Sequence, residues 1–259
     1  MLKKIITTSL TTLVLVSCVT SPLGRKQLNF MPADQMNTMG IEAFSQMKQE
    51  NPIETNRQIN NYVTCIANAL IQVSDNKTEW EVVVFKDETA NAFALPGGKI
   101  GVHTGLLNIA ENQHQLAAVV GHEIGHVLAN HSNERVSQEF VLSQGLTLIK
   151  SVSNTQSEMG QQVMGLLGIG AQYGIILPYS RTHESEADEM GLYFMAKAGF
   201  DPTESVKLWQ NMGAGNESQP PEFSSTHPSH DTRIANLNRA MGQAKHLYKQ
   251  VVNKPNCNL

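Results

Sequence analysis

The sequence predicts an α+β domain that is mainly helical. Three observations carry that prediction. Several long segments place apolar residues at helical spacing. A single short region, residues 80–103, is rich in β-formers. A nearly uncharged helical stretch holds Gly121-His122-Glu123-Ile124-Gly125-His126 at its centre.

The chain has 259 residues, enough for one large domain or two small ones, with 41% apolar and 16% charged residues. These proportions support a sizeable core. The formal charge is −4, and no block of basic residues occurs, so nucleic acid is not an expected partner.

The first 17 residues read as a targeting segment. Lys3 and Lys4 precede an apolar run from Ile5 to Val16, and Leu15-Val16-Ser17-Cys18 closes it. That ending resembles a bacterial lipobox, which makes Cys18 the expected lipidation site and the first residue after cleavage. An ordinary signal peptide with an incidental cysteine is the plainer alternative. The apolar run is short for a membrane span. Cleavage removes Lys3 and Lys4 and no acid, moving the charge from −4 to −6. Val19 stands where an Asp would retain the protein in the inner membrane under the enteric sorting rule, so the outer membrane is the expected address. Residues 18–32 then read as a lipidated tether, and 33–259 as the folded domain.

Ala33–Lys48 is expected to be helical. From Asn56 onward, Ile59, Tyr62, Val63, Ile66 and Leu70 share one face of an amphipathic helix. Cys65 lies on that helix and Cys257 near the other end of the chain. Exported proteins keep disulfides. A Cys65–Cys257 bridge would close a long loop, worth about 3–5 kcal/mol on a chain-entropy estimate; two unpaired thiols are the alternative. Trp80–Lys86, Asn91–Leu95 and Lys99–His103 read as three strands of a small sheet, separated by turn signals. An edge strand there would offer main-chain groups to an extended peptide, with Asn91 at its start as a candidate substrate or oxyanion contact. A hairpin that merely supports the core is the other reading.

Thr104–Ala110 starts as a short helix. Asn112 and Gln115 then stand at capping-box spacing before the long helix that runs to about Asn130. Within it, His122 and His126 are four residues apart, about 40° from each other around the axis. Both imidazoles can therefore meet one ion, with Glu123 beside them to take a proton from water. This is the H-E-x-x-H arrangement of zinc hydrolases. Gly121 and Gly125 cost helix propensity, about 1 kcal/mol each against Ala, and are expected to admit a closely packed neighbour.

A third ligand is needed. Position 129 is Ala and the next histidine, His131, comes five residues after His126. The H-x-x-G-x-x-H continuation is thereby ruled out, and His131 reads as an exposed residue at the helix end. Downstream, Glu184 and Asp188 are again four apart. Glu184 is the expected third ligand, and Asp188 the acceptor for the second ring N–H of a ligand histidine. Glu186 falls on another face and reads as solvated.

Asn91-Ala-Phe-Ala-Leu-Pro-Gly-Gly98, His122-Glu-Ile-Gly-His126, Glu184-Ser-Glu-Ala-Asp188 and His227-Pro-Ser-His-Asp-Thr-Arg233 occur in that order. Together they resemble the zinc peptidase family of HtpX, the CAAX prenyl proteases and mitochondrial Oma. The likeness is greatest to its exported bacterial lipoproteins of the LoiP, YcaL and BepA type, without the helical-repeat domain of the last. The resemblance covers about Gly24 to Met241. It implies a gluzincin-like fold, one Zn2+ per chain on His122, His126 and Glu184, and Glu123 as catalytic base. It also implies cleavage of misfolded or misassembled cell-envelope proteins from the periplasmic face of a membrane.

The resemblance also sets His227 beside the metal. There it would either stabilise the oxyanion or occupy the open metal position and hold the enzyme latent; a plain loop histidine is the third option. His230 reads as a histidine outside the site, with a site role as the lesser alternative. Arg233 would either orient a substrate carbonyl or pair with an acid. A lipid-anchored chaperone or assembly factor with structural zinc is the rival function, and the intact Glu123 argues against it. Ser137–Lys150 reads as helical, and Ser153–Gly160 and Gly213–Pro221 as loops. Val163 to Leu177, 15 apolar and glycine-rich residues, reads as a core helix, with a mobile lid or membrane-facing surface as the second option. Asp201-Pro202-Thr203-Glu204 starts a further helix.

Overall fold

The computed structural model describes residues 18–74, 78–150, 180–213, 227 and 230–259. The segments read as a signal (1–17), as loops (153–160 and 214–221) and as a core helix or lid (163–177) lie outside the described residues. The fold is α+β and mainly helical. In chain order it comprises β1 (Cys18–Thr20), β2 (Lys26–Leu28), α1 (Ala33–Glu50), α2 (Arg57–Val73), β3 (Glu81–Phe85), β4 (Ala92–Leu95) and β5 (Lys99–His103). A 3-10 turn (Thr104–Asn108) follows, then α3 (Gln113–Leu128), α4 (His131–Lys150), α5 (Arg181–Ala198), α6 (Glu204–Gly213) and α7 (His230–Gln250). None of the described helices is long and apolar enough to cross a membrane.

The caps fix where the site helices begin. Asn112 Oδ1 accepts the backbone N–H groups of His114 and Gln115 at the start of α3. The Gln115 side chain reaches back to the Glu111 N–H instead of to Asn112, a capping box shifted by one residue. Ser180 caps α5 by accepting the His183 N–H, and Gly199, at φ 87°, ends it in the left-handed conformation that glycine tolerates. Asp201 accepts the Thr203 N–H as a cap would, and regular α6 begins at Glu204.

The core lies between α2, α3 and α5. Val63, Ile66 and Leu70 of α2 are fully buried with Leu116, Val119, Val120 and Ile124 of α3. Each such side chain contributes about 1.5–3 kcal/mol of burial. Cys65 and Cys257 are joined by a disulfide, so the end of the chain is stapled to α2.

The small sheet has the order β3-β5-β4. β5 runs parallel to β3 and antiparallel to β4, which puts β4 at an edge. That edge faces α3: the Ala94 N–H donates to Glu123 Oε2 at 3.2 Å.

The segment read as a tether is folded at its start. β1 and β2 pair as an antiparallel hairpin, and Ser21 and Gln27 are buried. Gln27 donates to the Ala129 carbonyl at 2.6 Å and to Glu134 at 3.1 Å. Docking follows from side chains that satisfy buried acceptors at the end of α3 and the start of α4, which a run of 15 residues read alone does not reveal.

Candidate metal centre

α3 and α5 carry the site and pack closely along each other. A Cβ on Gly191 would stand 2.7 Å from the His122 backbone nitrogen, and one on Gly121 would stand 3.1 Å from the Gly191 carbonyl oxygen. The glycines let the two helix backbones approach nearly to contact. Short ligand side chains from both helices can then reach one point.

His122 and His126 are buried, and their Nε2 atoms lie 2.9 Å apart. Glu184 brings Oε2 to 3.6 Å from His122 Nε2 and Oε1 to 3.5 Å from His126 Nε2. His227, also buried, completes a group of four whose candidate ligand atoms all lie within 4.8 Å of one another. His227 Nε2 is 3.5 Å from Glu123 Oε1.

The residues fit a cation. Glu123 Oε1 and both Glu184 oxygens are buried and accept no hydrogen bond. Arg233 Nη1 stands 2.8 Å from Glu184 Oε2, near enough for an ion pair but not aligned for a hydrogen bond. Orphaned carboxylate oxygens are costly in a dry interior, and a metal ion relieves that cost. Two imidazoles and one carboxylate suit a single divalent ion.

Electrostatics point the same way. Burial, then the Glu184 charge, pushes the Glu123 carboxyl well above its ordinary range. Burial likewise lifts Glu184, to about 8, against the opposing pull of Arg233. Burial and the Arg233 charge lower His122 to about 4, and burial also lowers His126. Neutral imidazole is the form that binds metals. Burial is the largest influence on Asp188 and would raise it, but the Arg233 guanidinium and the hydrogen bond with His122 together hold the carboxyl below the usual range.

Asp188 lies 3.0 Å from His122 Nδ1, which leaves Nε2 facing the pocket. Arg233 grips Asp188 with a fork, Nε to Oδ2 at 2.8 Å and Nη2 to Oδ1 at 2.6 Å. Its guanidinium stands over the Trp209 ring, with Cζ 3.5 Å from the ring centroid. Arg233 is thus committed to acids, the second of its two sequence readings. Asn91 is half-buried just before β4, and its carbonyl accepts the His103 N–H. His230 opens α7.

Two expectations fail. His131 is not exposed: it is fully buried, and its Nδ1 lies 2.9 Å from His126 Nδ1. The cause is Asn130, at φ 54°, which turns the chain between α3 and α4 and folds His131 back onto the metal helix. Glu186 is not solvated: it is buried, 3.2 Å from His131 Nε2 and 2.8 Å from Arg25 Nε. The N-terminal hairpin covers that face of α5. Trp209, Arg25 and His183 belong to the surroundings of the site and carry no local sequence signal.

Residues 54–241 match the model of Peptidase family M48. The chain is 31% identical over 228 residues to the mitochondrial metalloendopeptidase OMA1 of Schizosaccharomyces pombe, covering 86% of this chain and 66% of that protein. It is 35% identical over 181 residues to the Saccharomyces cerevisiae counterpart, covering 66% of this chain and 50% of that protein. It is 26% identical over 236 residues to the β-barrel assembly-enhancing protease of Escherichia coli, covering 88% of this chain and 48% of that protein. The chain therefore spans about half to two thirds of the length of these relatives.

Proposed function

The chain belongs to Peptidase family M48, and from that membership and the site geometry we propose that it is a zinc metalloendopeptidase. The observation that carries this reading is the convergence of His122, His126 and Glu184 from two helices, with the unbonded Oε1 of Glu123 beside them.

His122 and His126, through Nε2, and Glu184 would hold the ion. When bound, zinc supplies a Lewis acid that acidifies water and polarises a carbonyl. Glu123 is the base. The Ala94 N–H fixes its Oε2 and leaves Oε1 to take the proton of attacking water. Its raised proton affinity in this buried setting suits it to keep that proton and deliver it to the leaving amine. Asp188 orients His122, and Arg233 orients Asp188 and Glu184 without meeting substrate. An extended peptide would pair along the β4 edge, which brings its backbone past Glu123.

Replacing Glu123 with Gln tests the assignment. Zinc content should stay near one per chain, and cleavage of an unfolded protein should fall by at least ~10³-fold, the scale of losing a base. Turnover that survives would refute the assigned base. A structural-zinc chaperone predicts instead that the variant keeps its cellular function.

A second reading concerns His227, because it lies in the same four-residue group as the ligands. It either closes the fourth metal position in a latent state or donates to the oxyanion. Increased cleavage by His227→Ala selects latency; a decrease of about 10²–10³-fold selects the oxyanion role.

The substrates on this reading are misfolded or misassembled envelope proteins. The lipobox-like ending at Cys18 and the name of the Escherichia coli relative support it. Cys18 would carry the lipid anchor at the periplasmic face of the outer membrane. Loss of lipid incorporation in Cys18→Ser checks the anchor.

A further inference from the structure

We propose that Arg25, at the end of the β1–β2 turn, is a positioning residue for the metal centre and acts on His126 through Glu186 and His131. The inference rests on the metal-ligand reading given above. The hairpin lies outside residues 54–241, the part that matches the family.

Hydrogen-bond polarity fixes the chain of influence. A His126 that binds metal through Nε2 carries its proton on Nδ1. That atom is 2.9 Å from His131 Nδ1, which must then accept. The His131 proton is therefore on Nε2, where Glu186 Oε2, 3.2 Å away, is the acceptor it meets. Arg25 Nε donates to that same oxygen at 2.8 Å. Each link allows one tautomer of the next.

Arg25 also holds the side of this relay. Its Nη1 and Nη2 form a fork on Glu134, at 2.8 and 2.6 Å. Glu134 lies 3.0 Å from His183 Nε2, and the His183 ring stacks on His131 with centroids 4.5 Å apart. Both carboxylates have side chains only 5% exposed. Without the guanidinium bridging them, nothing would hold the two carboxylates in register, and Glu186 would lose the contact that aims its Oε2 at His131 Nε2.

The centre thus has two braces of the same design. His122 is held by Asp188 and Arg233, both inside the family match. His126 is held by His131 and Glu186 with Arg25, whose arginine arrives from the N-terminal hairpin. A lysine cannot reproduce that grip, because a point charge does not bridge two carboxylates as a planar fork does.

The test measures Zn2+ affinity by chelator competition, and the visible spectrum of Co2+-substituted protein, for wild type, Arg25→Ala, Arg25→Lys, Glu186→Gln and Lys26→Ala. Lys26 is an exposed hairpin residue outside the relay, and its variant should match wild type. Arg25→Ala should bind Zn2+ about 10–100-fold more weakly and shift the Co2+ bands. Arg25→Lys should recover only part of that loss, and Glu186→Gln should err in the same direction as Arg25→Ala. Wild-type affinity and spectrum in folded Arg25→Ala would overturn the proposal. So would a loss of melting temperature with the metal properties unchanged, the mark of a merely structural hairpin. If Arg25→Ala does not fold, Glu186→Gln decides alone, and an unchanged affinity there overturns the proposal. A wild-type chain that binds no stoichiometric zinc would instead overturn the metal-ligand reading itself.

Discussion

Arg233 is among the largest fully buried side chains, and a buried guanidinium needs compensation on every side. Asp188, Glu184 and the Trp209 ring provide it. This arrangement makes Asp188 more than a hydrogen-bond acceptor for His122. Its charge is what keeps Arg233 in place, and Arg233 in turn faces the metal-directed carboxylate of Glu184. Asp188→Asn keeps the shape and removes the charge. It should weaken zinc binding by about 10–100-fold, read by chelator competition, with far-UV circular dichroism unchanged. Zinc affinity equal to wild type would show that orientation alone, without charge, sustains His122.

At the scale of elements, ligand spacing depends on how closely α3 and α5 approach. Gly191→Ala would force a methyl group to 2.7 Å from the His122 nitrogen, which is backbone and cannot swing away. The helices must separate. The expected cost is about 1–3 kcal/mol, with a lower melting temperature in thermal unfolding and weaker zinc retention. Gly121 and Gly125 announced this contact in the sequence, since glycine inside a helix needs a reason. Periodicity also made the core face of α2 legible, and four-residue spacing made His122, His126, Glu184 and Asp188 legible as two pairs. Three short strands stood out by composition, with Lys99–His103 matching β5 from end to end. His131 is buried because Asn130 turns it back onto α3, and Glu186 because the hairpin covers its face, and neither effect shows in a local period. The contact of Arg25 with Glu186 spans 161 residues, and that with Glu134 spans 109. No period or local motif encodes a contact of that separation. His131 had one faint signal: the Asn before it, a residue that tolerates the left-handed turn that ends α3.

For the molecule as a whole, both ends of the described chain are tied to the body. Cys257 is bonded to Cys65 across a separation of 192 residues, and the Cys257 N–H donates to the Gln113 side chain at the start of the metal helix. Cys65→Ser should therefore cost about 2–5 kcal/mol, measured by denaturant unfolding, and wild type under reducing conditions should behave like the variant. The other tie, at the N-terminal hairpin, has a geometric consequence. Strand β1 starts at Cys18 itself, so a lipid attached there would leave almost no slack between bilayer and cleft. Such a protease works like a blade mounted flush with a wall. Were Cys18 lipidated as proposed, such a mounting would favour what lies stranded against the membrane face over unfolded chains adrift in the aqueous space.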